Sequence, residues 1–526
     1  MFVFLTIGFY GLALLAIGIL RITRRSFSYS WLAAALGALL AWGSVFLWQL
    51  DLPALVFETV WQPVELFSAW PVFLVDDFSW IYSLALAGLA LAVILTAPAQ
   101  STGISPSAWI GTIGLTTLGM LAFLAGNLLT LVMVWAALDL LELVNSLRLA
   151  RKPDLSERAV ISFGVRALGT GFALWAGAAN GPVLSSWELV SAPSALFLFL
   201  AVGLRLGVLP LHLTYRSEPA LRRGMGTVLR LTMASSSLVL LARIPSGLIG
   251  PGLSVLLQAL LGLALLYGAW QWLSAPGELS ARPYWLIGMG ALSLLAALRG
   301  SQAGSVAWGV ALILYGGLVF LYSARQPRLT LGLSVLVLGM FSLPFTLTAV
   351  TWQGALSLDW LFWPFVAAGQ IMLAAGFVRH LWHTSESELA NLPRWAQSAY
   401  PLGLALLAVM ILMLGLWGWP GALQVGLWPA GLAIGLLSLT ALAVWWRISR
   451  FGTRPAPAAG PLADLPAPAS RLARAVEFFA ALLWALYRSL RRLFDFLSGL
   501  LEGDGGLLWT VLVLVLLLIW FQQISM

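Results

Sequence analysis

Asp139 and Glu142 stand one helical turn apart in Trp135-Ala-Ala-Leu-Asp-Leu-Leu-Glu142, a run that is otherwise apolar. Carboxylates so placed can take up and release protons, hold a cation, or be locked in ion pairs. Arg166, Arg205 and Arg230 lie inside the three apolar runs that follow. Arginine keeps its charge in proteins, so it can bias a neighbouring carboxylate but cannot relay a proton. His212 completes the set, since an imidazole titrates near neutrality. These six residues are candidates either for a proton path or for a static ion-pair network that fixes helix packing. Elsewhere His380-x-x-His383, followed by Glu386 and Glu388, has a spacing that metal ligands also use. It closes an apolar run where histidines commonly face headgroups, and no metal is expected there.

The elements that must position these groups are membrane helices. Of 526 residues, 61% are hydrophobic and 9% charged, whereas a soluble domain has about a quarter of its residues charged. Only a chain whose outer face meets lipid can be so apolar. Without cysteine the chain can form no disulfide, iron–sulfur or thioether-haem site of its own. No cofactor is expected. The net charge of +8 does not point to nucleic acid, because arginines in cytoplasmic loops account for it.

Runs of about 20 apolar residues can cross the hydrocarbon core. The sequence predicts sixteen, near 2–22, 29–48, 78–96, 107–125, 128–148, 159–178, 192–212, 225–245, 252–274, 283–299, 303–324, 328–351, 358–382, 399–418, 424–446 and 507–523. Arg21, Arg24 and Arg25 follow the first run rather than precede it. That order predicts an uncleaved first helix and a multi-pass protein of the cell (inner) membrane with both termini outside. The loops after odd-numbered helices then carry nearly all the basic residues. The outer segment from Asp51 to Asp77 carries five acids and no base. Near the end, a Pro/Ala-rich stretch at 451–470 reads as a stiff cytoplasmic connector. Residues 471–502 repeat with a period near 3.6, as an amphipathic helix about 45 Å long on the membrane surface would. Two runs contain a proline that interrupts them, Pro210 in Gly207-Val-Leu-Pro-Leu-His212 and Pro344 in Phe341-Ser-Leu-Pro-Phe-Thr346. Paired broken helices point to an inverted-repeat membrane protein with an ion path.

Several stretches together resemble the antiporter-like subunits of respiratory complex I (NADH:quinone oxidoreductase) and of Mrp-type cation/proton antiporters. Arg205-Leu-Gly-Val-Leu-Pro-Leu-His212 is similar to that family's lysine–x4–Pro–x–His segment. Thr232-Met-Ala-Ser-Ser-Ser-Leu-Val-Leu-Leu-Ala-Arg243 is similar to its helix 8. Val75-Asp-Asp-Phe-Ser79, Leu128-Leu-Thr-Leu-Val-Met-Val-Trp135 and Phe341-Ser-Leu-Pro-Phe-Thr346 resemble its entry to helix 3, its start of helix 5 and its break in helix 12. Leu501-Glu-Gly-Asp-Gly-Gly-Leu-Leu-Trp509 resembles its last helix. The resemblance implies an all-α membrane protein with two inverted-repeat bundles, broken helices 7 and 12, and a C-terminal lateral helix. It divides the chain into helices 1–3 (1–100), an antiporter-like core of helices 4–13 (101–382), helices 14–15 (383–450), the linker (451–470), the surface helix (471–502) and the last helix (503–526). The implied partners are the bilayer, other membrane subunits, and protons or monovalent cations.

The departures bear on function. Where the family has a glutamate after the helix 5 tryptophan, this chain has Ala136, with Asp139 one turn on. Arg205 replaces the helix 7 lysine, Arg230 stands near the helix 8 basic position, and nothing basic lies between Gly304 and Ser323. The only lysine is Lys152, in a loop. Two family readings stay open: a proton-translocating subunit working through Asp139, Glu142 and His212, or a degenerate, mainly structural one. An unrelated polytopic carrier or membrane-embedded enzyme is the third. No catalytic constellation is present, and any redox chemistry would belong to partner chains.

Overall fold

The computed structural model describes residues 2–451 apart from 24–26, 62–68, 100–105, 150–152, 180–183, 214–220, 246, 325, 353–361, 384–388, 390–392 and 420–428, together with 492, 509 and 511–515. Fifteen α-helices are described: α1 Phe2–Ile22, α2 Phe27–Phe46, α3 Asp77–Thr96, α4 Pro106–Phe123, α5 Leu128–Leu149, α6 Pro153–Ala179, α7 Ala192–Leu206, α8 Arg223–Arg243, α9 Pro251–Ser274, α10 Arg282–Leu298, α11 Gln302–Leu321, α12 Pro327–Val335, α13 Trp363–Leu381, α14 Arg394–Leu416 and α15 Pro429–Phe451. Ten of the described helices are long and apolar enough to cross a membrane, and the rest include shorter apolar ones. The chain is therefore a helical multi-pass membrane protein. The linker, the surface helix and most of the final apolar run lie outside the described residues. The chain divides into two compact units, Met1–Pro210 with Thr214–Ser438, and Leu211–Leu213 with Leu439–Met526.

A helix that is apolar all round belongs in an interior, and α3 and α11 obey that rule; α8, which carries three arginines, is likewise buried almost throughout. Small residues let them approach. At Gly309 of α11 an added Cβ would collide with the Tyr82 ring of α3. By contrast α1, α2, α5 and α6 leave half or more of their surface outside, as helices facing lipid or another chain do. Along α5 the buried positions Trp135, Leu138, Asp139 and Glu142 form one stripe, while Ala136, Ala137 and Leu140 are exposed.

Three features depart from the uniform helices expected. The acidic segment contains an antiparallel strand pair, β1 Ala54–Glu58 and β2 Val72–Val75, with Ala54 opposite Val75. Its second strand is tied to the α4–α5 turn: Leu74 N–H donates to the Leu124 carbonyl (2.7 Å) and Gly126 N–H to the Val72 carbonyl (2.8 Å). Backbone polar groups beside a membrane need partners, and this pairing provides them. Second, α7 ends at Leu206 rather than running to 212. Gly207 takes a left-handed conformation (φ 74°) and closes the helix, so Pro210 lies beyond it. Third, α12 gives way to a tighter turn at Leu336–Met340 and then to non-helical backbone, leaving Pro344 outside any helix.

The end of the core where α3 begins and α8 closes is fastened by Asp76. Its carboxylate caps α3 by accepting from Ser79 N–H (2.9 Å) and also pairs with Arg243 at the end of α8, while Arg243 Nη2 donates to the Phe123 carbonyl of α4 (3.2 Å). Asp76→Ala removes cap and counter-charge together, and should destabilise by at least the ~1 kcal/mol typical of a lost cap. Asp76→Asn keeps the cap acceptor and should lose less. Thermal unfolding of both variants in detergent checks the order.

Candidate functional site

The structure brings five of the six candidates into one buried group. Asp139 and Glu142 point inward from α5 because positions three and four apart share a helical face. Arg166 comes from α6, Arg205 from the last turn of α7 and Arg230 from α8. All five side chains are at most 3% exposed, so the pairing between them decides whether the group is tolerable.

Asp139 is held by two guanidinium groups. Arg205 grips it with both terminal nitrogens, Nη1 to Oδ2 at 2.7 Å and Nη2 to Oδ1 at 3.0 Å. Arg166 Nε donates to Oδ1 at 3.1 Å. Glu142 meets the other end of Arg166, Nη2 to Oε2 at 2.9 Å, and pairs through Oε1 with Arg230. Arg166 is thus the bridge between the two carboxylates.

Within this group of described residues, three guanidinium groups face two carboxylates, a formal excess of one positive charge. Neutral acceptors around Arg205 disperse it. Nη1 also donates to Thr170 Oγ1 (2.8 Å) and Nε to Ser237 Oγ (3.1 Å). The guanidinium lies over the Trp135 ring, 4.3 Å from its centroid, where the π face attracts a cation. Trp135 is itself fixed by its indole N–H donating to the Ser236 carbonyl (2.9 Å).

His212 is buried but groups with the second compact unit. Pro210 and Pro344 both lie just past helix ends. Around the second break the side chains are neutral: Gln370 of α13 donates to the Met340 carbonyl (2.5 Å) and to Ser342 Oγ (3.3 Å), Ser342 Oγ meets Thr351 Oγ1 (2.7 Å), and Thr348 Oγ1 donates to the Gly339 carbonyl (2.8 Å). Ser342 and Phe345 hold positive φ (55° and 61°), an uncommon state for residues with a side chain. Arg299 stands over Trp352 at the edge of this region, 5.0 Å from the ring centroid.

A second buried ion pair was not recognisable from sequence. Arg223 and Arg282 fall in predicted loops and Glu278 between two predicted spans, yet all three are buried, Arg282 completely. Arg223 donates to Glu278 Oε1 (2.9 Å) and to the Phe320 carbonyl (2.6 Å), while Arg282 donates to the Arg223 carbonyl (3.0 Å). The available signal was Glu278 itself, an acid among loops that otherwise favour bases. Of the histidine pair, His380 is buried with its Nε2–H donating to the Trp272 carbonyl (2.9 Å) and its ring 4.4 Å from that of Trp272. Glu386 and Glu388 lie outside the described residues. Among the described residues no group of His, Asp and Glu is arranged to hold a metal.

Comparison with solved structures identifies the fold. A chain of the Mrp complex from Dietzia sp. DQ12-45-1b superposes with a TM-score of 0.67 at 16% identity, covering 100% of this chain and 63% of that one. The present chain thus spans less than two thirds of that relative. A chain of respiratory complex I from Thermus thermophilus (bound to aureothin) gives 0.58 at 19% identity, over 79% of this chain and 97% of that one. A chain of the membrane-bound sulfane sulfur reductase, an archaeal respiratory membrane complex, gives 0.58 at 13% identity, over 97% and 99%. No family model matches the sequence, and no curated protein does. The expected resemblance therefore holds at the level of fold: the structural neighbours are antiporter-like membrane subunits.

The charge count makes an asymmetric expectation. Asp139→Ala takes the bidentate carboxylate from Arg205 and leaves Arg166 to share Glu142 with Arg230, and should cost about 3–5 kcal/mol, as breaking a buried pair does. Arg205→Met leaves two arginines facing two carboxylates and should cost clearly less. Thermal unfolding of the two variants and of the double variant, analysed as a cycle, tests this order.

Proposed function

We propose that this protein is an antiporter-like membrane subunit of a multi-subunit assembly of the Mrp or complex I kind, in which the Asp139–Glu142–Arg166–Arg205–Arg230 group is a fixed electrostatic lock rather than a proton relay. The observation that carries this reading is the make-up of the pairing. Both carboxylates are held by arginines. A relay needs groups that gain and lose charge, and a buried lysine can do so where arginine cannot. Here the only lysine is Lys152, outside the apolar runs, and the described side chains bonded at the broken end of α12 are neutral hydroxyl and amide groups.

Membership of an assembly is supported by the neighbours, all of them chains of multi-subunit complexes. In this reading the chain sits in the cell (inner) membrane with both termini outside. The core at 101–382 is its antiporter-like part, and electron transfer takes place in partner chains. The second reading is proton translocation through Asp139, Glu142 and His212 with water between them. It is favoured by one observation: two carboxylates are buried at membrane depth, where such groups are costly and usually serve transport.

Two measurements decide. A tagged chain purified from native membranes should bring other multi-pass chains with it; recovery on its own would overturn the assembly. Proton flux through liposomes holding the purified assembly should be equal in the parent and in a folded Asp139→Asn variant. A tenfold loss of flux in that variant would assign Asp139 to a relay and overturn the lock.

A further inference from the structure

An apolar groove of about 500 Å³ runs between α2, α3 and α14, with Leu36, Leu39, Leu95, Leu402, Ala405 and Val409 in its walls. The volume lies within the roughly 300–1,000 Å³ of sites that hold small apolar ligands. Its lining is almost wholly apolar, and Leu36, Leu402 and Val409 are exposed at its rim. The groove therefore opens sideways from helices that cross the membrane, toward whatever surrounds them.

Its ends differ. At one end Trp31 of α2 and Trp395 of α14 stand 4.9 Å apart, and the Trp31 indole N–H donates to the Ile94 carbonyl of α3 (2.8 Å). Tryptophan with one polar edge marks the membrane–water boundary. Arg394 precedes Trp395 and is exposed. Arg21 ends α1 at the same level, because α1 and α2 run antiparallel, with Thr6 bonded to Ser44 and Ala13 against Gly37. At the other end lies Trp42. From Trp31 to Trp42 the helix rises roughly 16 Å at 1.5 Å per residue, close to one leaflet, or half of a ~30 Å hydrocarbon core.

We infer that this groove binds one acyl chain of an anionic phospholipid, with the headgroup phosphate held at the boundary by Arg394. The length matches a chain reaching from the headgroup level to the middle of the bilayer. The positive end matches the phosphate, and the walls offer such a chain dispersion contacts without polar partners. The inference rests on the membrane-embedded fold alone and is independent of whether the protein conducts protons.

The test is native mass spectrometry of the full-length protein, or of its assembly, in mild detergent. The probes are phosphatidylglycerol and phosphatidylcholine with identical chains. Phosphatidylglycerol should be retained in preference. Ala405→Trp fills the groove and should lower retention at least tenfold, and Ala35→Phe on the opposite wall should do the same where the first variant melts early. Leu412→Trp, on an exposed part of α14 outside the groove, should leave retention unchanged. Arg394→Gln should make the two lipids equal. Unchanged retention in both groove-filling variants, equal binding of the two lipids by the parent, or an isoprenoid quinone as the molecule carried from native membranes would each overturn the proposal.

Discussion

In a membrane interior every charge must find an opposite charge or a set of dipoles close by, because water cannot supply them. The group on α5 to α8 is the place where this requirement organises the chain. Arg166 joins the two carboxylates, Arg205 grips Asp139 with two nitrogens, and Arg230 closes on Glu142. Four successive helices are thereby fixed in rotation as well as position. Turning α5 by one residue would carry Asp139 to the face now occupied by Ala136 and Leu140, which is exposed. The pairs are thus better understood as specifying an arrangement than as a large net source of stability, since desolvation offsets much of what the attraction contributes.

The two helix breaks show how the same device serves different ends. After α7 the stop is made by a left-handed glycine, and the carbonyls of Gly203 and Leu204 accept from backbone N–H groups of the turn that follows. After α12 the chain leaves the helix through hydroxyl and amide contacts centred on Gln370. The first break is closed by backbone groups and the second by side chains.

Much of this was legible in the sequence for a plain reason. In an apolar text a single charged letter carries unusual information, so Asp139, Glu142, Arg166, Arg205 and Arg230 announced themselves. Their being neighbours followed from their lying on consecutive helices. Arg223, Glu278 and Arg282 were not legible, because a charge at a helix end looks the same whether it faces water or folds under the next turn. The strand pair at 54–75 was hidden in an acidic segment whose composition predicts only that it stays outside. Helix length misled at α7 and α12: apolar residues continue past both stops, and hydropathy does not register the change of backbone direction. Ala136 shows the opposite case. The replacement of an acid there was visible, but only the structure places that position on the outward side of α5 while Asp139 faces in.

The surplus positive charge beside Trp135 has a consequence for what can pass. A permanent cation held at that depth raises the energy of any second cation brought near, and the low dielectric lets that repulsion reach further than it would in water. Channels exclude protons and metal ions with an arginine set in the pore wall in this way. Arg205, gripping Asp139 with two nitrogens and backed by a ring face and two hydroxyls, is held still at that point. Under the proposed lock, this part of the helix bundle would be closed to mobile cations by charge and not by bulk.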